Sequence, residues 1–164
     1  MTAATPVSVT LNVNGRSVTR EAGGHLTLLR WLRENADALD PKYACGEGIC
    51  GACTVLVDSE PVSSCIVLAA QVDGSEITTA GGLTAPDGSP NDLQESFHRH
   101  HAAQCGFCTP GMLMCAAAML AEGAAGSREE IREGLHGNLC RCTGYQQIVD
   151  AIEERASTGA TRPA

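Results

Sequence analysis

Cys45-Gly46-Glu47-Gly48-Ile49-Cys50-Gly51-Ala52-Cys53 decides the fold, together with Cys65, which eleven residues separate from Cys53. The spacing C-x4-C-x2-C…C is that of the ligands of a plant-type [2Fe–2S] cluster. Three thiolates must converge from one short loop, so the chain has to turn tightly and leave room for inorganic sulfide. Gly46, Gly48 and Gly51 permit such turns and bring backbone amides close to sulfur. Cys65 closes the site from a neighbouring segment. The same glycines also spell Gly46-x-Gly48-x-x-Gly51, a dinucleotide-binding pattern that needs a strand before it and a helix after it. Here Thr54-Val55-Leu56-Val57 reads as a strand, so the glycines serve the metal loop.

On either side of this loop the periodicity is that of a small α+β unit. Val7, Val9, Leu11 and Val13 alternate with polar residues as in a half-buried strand. Asn14-Gly15 signals a two-residue hairpin turn, and Ser17-Val18-Thr19 begins the returning strand. From Thr27 the period becomes helical, with Leu28, Leu29, Trp31 and Leu32 on one face as far as Ala36, before Asp40-Pro41 breaks it. Val55–Val57 and Pro61–Cys65 form a second hairpin about Asp58-Ser59-Glu60, and Glu76–Thr79 a last strand. Strands crossed by one helix and carrying a metal loop make an α+β domain over residues 1–80.

Residues 81–90 are rich in Gly and Pro and read as a linker. Beyond them, over 91–156, the pattern is all-helical. Asn91 or Asp92 caps a helix through Leu93, Phe97 and His101. Pro110 opens a second, apolar on nearly every face from Met112 to Ala121 and therefore buried among its neighbours. Ser127-Arg128-Glu129-Glu130 is a capping box ahead of a third, and a fourth runs from Tyr145 to Arg155. Residues 157–164 read as a disordered tail.

Two further cysteine pairs stand where these helices begin, in Gln104-Cys105-Gly106-Phe107-Cys108-Thr109-Pro110-Gly111 and in Gly137-Asn138-Leu139-Cys140-Arg141-Cys142-Thr143-Gly144-Tyr145. Helix N-termini favour thiolates and a net-negative cluster. Taken alone, C-x2-C…C-x-C suits a structural zinc ion as well as iron. Beside a plant-type loop, a second [2Fe–2S] cluster is the stronger reading. Eight of the nine cysteines are then used. Cys115 is left within the apolar helix beside Met112, Met114 and Met119, as a small buried hydrophobe. His98, His100 and His101 offer too few ligands on one face for a metal and read as solvated surface, as do Glu129/Glu130 and Glu153/Glu154. No Ser/His/Asp or Cys/His arrangement stands out.

The composition agrees. Nine cysteines in 164 residues, without the wide spacing of a secreted disulfide scaffold, indicate thiols on metal in a reducing, cytoplasmic setting. Met1–Pro6 has neither the basic nor the apolar region of a signal peptide, and no apolar run reaches membrane length. A net charge of −8 argues against nucleic acid as a partner.

The three motifs, in this order and over residues 5–155, resemble the small iron–sulfur subunit of the molybdenum hydroxylases, the xanthine dehydrogenase/aldehyde oxidoreductase family. The resemblance implies an N-terminal ferredoxin-like β-grasp domain followed by a four-helix domain, each with one [2Fe–2S] cluster. It implies that Cys45, Cys50, Cys53 and Cys65 hold an outer cluster nearer FAD on a medium subunit. Cys105, Cys108, Cys140 and Cys142 would hold an inner one nearer a molybdenum–pterin cofactor on a large subunit. Gln104 and Cys142 match positions that touch the pterin. The chain would then be one part of a hetero-oligomeric oxidoreductase, such as a dimer of heterotrimers, with no substrate site of its own. It would relay single electrons from molybdenum to flavin or another acceptor while the large subunit oxidises a purine, another N-heterocycle or an aldehyde. The competing readings are a free-standing two-cluster ferredoxin and a zinc-stabilised binding module.

Overall fold

The computed structural model describes residues 6–158, so the N-terminal stretch before Pro6 and residues 159–164 of the expected tail lie outside the described residues. The architecture is α+β. Strand β1 (Pro6–Val13) pairs antiparallel with β2 (Arg16–Gly23) through a turn in which Asn14 and Gly15 both take positive φ, 52° and 77°. That is the geometry Asn-Gly favours, because two left-handed residues match the twist of the flanking strands. Helix α1 (Leu28–Asn35) starts at Thr27, whose hydroxyl accepts the Arg30 amide. Strands β3 (Thr54–Val57) and β4 (Glu60–Ser63) form the second hairpin, and β5 (Glu76–Thr78) completes the sheet in the order β2-β1-β5-β3-β4. Strand β5 runs parallel to β1 and antiparallel to β3, which makes the sheet mixed. The alternation of β1 places Val9, Leu11 and Val13 inside, where Leu28, Trp31 and Leu32 of α1 meet them together with Val55 and Ile77.

The helical half follows with α2 (Asp92–Arg99), α3 (Thr109–Glu122), α4 (Arg128–Gly134) and α5 (Gln146–Ser157). Helix α3 buries Met112, Leu113, Met114, Ala116, Ala118 and Met119, as an all-round apolar helix must. Its second core also takes Phe97 of α2, Ile131 of α4 and Ile148 and Ile152 of α5.

Several local expectations meet a tertiary correction. The expected linker contains a 3-10 turn, Ala80–Leu83, anchored by the Gly81 amide on the Asp40 carboxylate, with Ala80 buried and Leu83 packed on the helical core. A second such turn, Ala69–Val72, packs against β1. His101 takes φ +52° and lies outside α2, so it does not share a helical face with His98. At α4 only half of the capping box forms. Ser127 Oγ accepts the Glu130 amide at 3.2 Å, and its hydroxyl meets the Glu130 carboxylate instead of that carboxylate returning to the cap amide. Helix α5 continues through Ser157, whose hydroxyl donates to Glu154 O at 2.8 Å. Glu153, Glu154 and His100 are not a solvated surface. Glu154 accepts from Ser96, Arg99 and His100 of α2, and Glu153 pairs with Arg128.

Candidate metal centres

The first loop is shaped by backbone that only a short, glycine-rich stretch adopts easily. Gly46, Gly48 and Gly51 have φ of 71°, 74° and 66°. These turns direct amides at sulfur: the Glu47 and Cys50 N–H groups donate to Cys45 Sγ at 3.4 and 3.5 Å. The amides of Glu47, Cys50 and Ile49 pull the Cys45 thiol down to about 6, well into thiolate territory. Cys53 and Cys65 are buried against Leu29 of α1. The Ser64 hydroxyl fastens the two strands by donating to Cys53 O at 2.6 Å. Burial pushes the Cys65 thiol up to about 11, with the neighbouring Cys53 adding to it.

The second set stands at the mouth of the helices. Cys105 and Cys108 precede α3, while Cys140 and Cys142 lie in the loop before α5, whose turn closes with Tyr145 at φ 69°. Tyr145 braces that loop, its hydroxyl donating to Asn138 O and accepting from the Cys140 amide. Burial pushes Cys108 up to about 12 and Cys140 beside it adds to the effect. Burial acts on Cys140 in the same direction, but the hydroxyl and amide of Thr143 bond to its sulfur and hold it below the ordinary thiol value. Cys105, Cys142 and Gln104 are all exposed, on one rim of the molecule with Phe107.

None of the nine cysteines is in a disulfide. Among the described residues, no three Cys, His, Asp or Glu side chains gather as they would around one ion. Cys142 Sγ lies 3.6 Å from Cys105 Sγ, Cys65 has Cys53 and Cys45 as neighbours, and Cys108 has Cys140 and Cys105. A tetrahedral metal with bonds of about 2.3 Å to sulfur holds two thiolates about 3.7 Å apart. Two cysteines per iron is what a binuclear cluster takes, and four cysteines in each half meet that number.

The two loops touch. The Leu139 amide, next to Cys140, donates to Cys50 O at 2.9 Å. Asn138 Nδ2 donates to Gly51 O at 3.1 Å, and the Cys115 thiol donates to Asn138 Oδ1 at 2.9 Å. Cys115 is therefore hydrogen-bonded at the seam between the two halves, and the reading of it as a plain hydrophobe is incomplete. Sequence reasoning passed over Asn138 as well. Its one visible signal is its place inside the cysteine motif, two residues before Cys140.

Comparison with known proteins agrees with this division. Residues 11–84 match the model of a 2Fe-2S iron-sulfur cluster binding domain, and residues 79–153 that of a [2Fe-2S] binding domain. The chain is 48% identical over 146 residues to the nicotine 6-hydroxylase small subunit of Paenarthrobacter nicotinovorans, covering 89% of this chain and 87% of that one. It is 43% identical over 152 residues to the xanthine dehydrogenase iron-sulfur-binding subunit of Escherichia coli O157:H7, covering 89% and 92%. Among solved structures, a chain of quinoline 2-oxidoreductase from Pseudomonas putida superposes with a TM-score of 0.88 at 43% identity, over 95% of this chain and 99% of that one. With its two [2Fe–2S]-binding domains, the chain belongs to the small iron–sulfur subunits of the molybdenum hydroxylases, the xanthine dehydrogenase/aldehyde oxidoreductase family.

Proposed function

We propose that this chain is the electron relay of a multisubunit molybdenum hydroxylase. Cys45, Cys50, Cys53 and Cys65 hold the outer [2Fe–2S] cluster, and Cys105, Cys108, Cys140 and Cys142 the inner one. The observation that carries this reading is the Leu139–Cys50 hydrogen bond, which joins a residue adjacent to one ligand set directly to a member of the other. When bound, each cluster accepts and passes on one electron at a time, at a potential set by hydrogen bonds to sulfur and by exposure.

The residues of the chain do the rest. Amides of Glu47 and Cys50 and the Thr143 amide and hydroxyl stabilise negative charge on Cys45 and Cys140. The two sites differ in burial, Cys53 and Cys65 lying inside while Cys105 and Cys142 reach the surface, so their potentials differ. The rim of Gln104, Cys105 and Cys142 is the face offered to the pterin of the large subunit. Tyr43 and Ile66 lie over the glycines of the first loop and remain 63% and 59% exposed, with Ile49 at 60%. Apolar side chains so exposed around a redox loop suit a covering partner, here the FAD-binding medium subunit. The proposed domains are 1–80 and 91–156, on either side of the 81–90 segment, in a cytoplasmic heterotrimer that pairs into a dimer. The nicotine and quinoline enzymes among the relatives favour an N-heterocycle as the substrate class, bound on the large subunit.

Purification of the tagged chain from its own host tests this. The reading predicts a complex containing larger subunits, molybdenum and flavin, in which substrate bleaches the iron–sulfur absorbance. A lone chain carrying both clusters would instead identify a free-standing ferredoxin.

A further inference from the structure

One buried carbonyl at the seam collects three donors. Gly51 O accepts the Thr54 amide at 3.0 Å, the Thr54 hydroxyl at 2.8 Å and Asn138 Nδ2 at 3.1 Å. Thr54 and Asn138 are 5% and 3% exposed. The Asn138–Gly51 bond links residues 87 positions apart, one in each cysteine loop. On its far side Asn138 presents Oδ1 to the Cys115 thiol of α3. A side-chain amide has two orientations, but here only one satisfies both neighbours. Nδ2 must face the Gly51 carbonyl, and Oδ1 then needs the donor that Cys115 supplies. The backbones crowd the same spot. A Cβ on Gly51 would meet Asn138 Cγ at 2.6 Å, and one on Gly111 of α3 would collide with Gly51 O.

We infer that Asn138, oriented by Cys115, is a positioning residue that clamps the two cysteine loops at a fixed separation. This rests on the two-cluster relay reading for its consequence but not for its geometry. Asn138 is followed by Leu139, whose amide bonds to Cys50 O, and then by Cys140. The clamp therefore stands beside a direct bonded route between the two ligand sets, through the Leu139–Cys50 hydrogen bond. Electron tunnelling falls off exponentially with separation, so a loop that shifts outward lengthens the step the relay depends on. Neither residue need touch a cluster for this. The ninth cysteine is in this view a hydrogen-bond donor at the seam, with no part in ligating iron.

Four variants of the full chain in its complex test the clamp: Asn138→Ala, Asn138→Asp, Cys115→Ala and Cys115→Ser. The first readout is amide hydrogen exchange at Leu139, which the clamp protects. Asn138→Ala speeds it by about tenfold or more, in keeping with a lost buried hydrogen bond, while Leu11 in the distant sheet is unchanged. Asn138→Asp, which sets a carboxylate oxygen against Gly51 O, does the same. Cys115→Ala gives a smaller increase, and Cys115→Ser, which keeps a donor, stays at the wild-type rate. The second readout is the magnetic splitting between the two reduced clusters, which follows the inverse cube of their separation. It shrinks in Asn138→Ala with iron content unchanged. Wild-type exchange and splitting in Asn138→Ala would overturn the inference. Cys115→Ser behaving like Cys115→Ala would do so for the orienting role, because cavity filling alone would then explain Cys115. The Cys115 pair keeps the test decisive if Asn138→Ala does not fold. A wild-type chain with a single cluster would sink the relay reading, whereas exchange at Leu139 would still decide the clamp.

Discussion

Gly111 has no room for a side chain, because a Cβ there would run into the carbonyl oxygen of Gly51 in the other half of the molecule. Gly111→Ala is therefore expected to cost about 1–3 kcal/mol, the usual penalty for forcing atoms into a packed core. A melting curve checks this, and an unshifted midpoint would mean that the two halves do not pack so closely. The cysteine motifs were legible in the sequence because close spacing such as C-x4-C-x2-C is imposed by the chemistry of a short loop. Asn138, Cys115 and Gly111 were not, since their roles arise only when α3 and two distant loops meet. Pattern reading sees Cys115 among methionines and assigns it to the core. The structure adds the hydroxyl of Thr54 and the amide of Asn138 as its neighbours, while burial pushes its thiol up to about 11.

At the scale of elements, local signals did well wherever the deciding interaction was local. Asn91 caps α2 by accepting the Gln94 amide at 2.9 Å, and the Gln94 side chain returns the bond to the Asn91 amide at 2.8 Å. Asn91→Ala should remove about 1 kcal/mol of stability, read from denaturant titration with an unchanged slope. The polar part of the contact between α2 and α5 was invisible to periodicity, which registers only the apolar residues. Hydrogen bonds from Ser96, then His100 and Arg99, hold the Glu154 carboxyl down to about 2. A carboxylate whose folded value is depressed stabilises the fold above its unfolded value, and that contribution fades as pH falls from about 4.5 towards 2. Wild-type chain should accordingly lose stability over that interval more steeply than Glu154→Gln. Parallel pH profiles for the two would show that the network carries no such linkage. The Ala80–Leu83 turn makes the complementary point: Gly and Pro announce a turn, but they do not reveal that it docks on a core.

At the scale of the whole molecule, the described residues build one core under the sheet and one among the helices, with a polar seam where the cysteine loops touch. The bipartite plan was readable from the change of period and from three cysteine motifs in order. The contact between the loops was not, for no residue pattern encodes the approach of segments so far apart. In the proposed assignment each site draws its four thiols from its own half, so the sites should be separable. Cys142→Ser is predicted to abolish the signal of the inner cluster and leave the outer one, and loss of both together would contradict independent sites. The most direct measurement is low-temperature electron paramagnetic resonance of the dithionite-reduced chain, read beside its metal content. Two distinct S = 1/2 signals with about four irons per chain are predicted, as two binuclear clusters require. A single signal, with zinc in place of the remaining iron, would contradict the two-cluster relay.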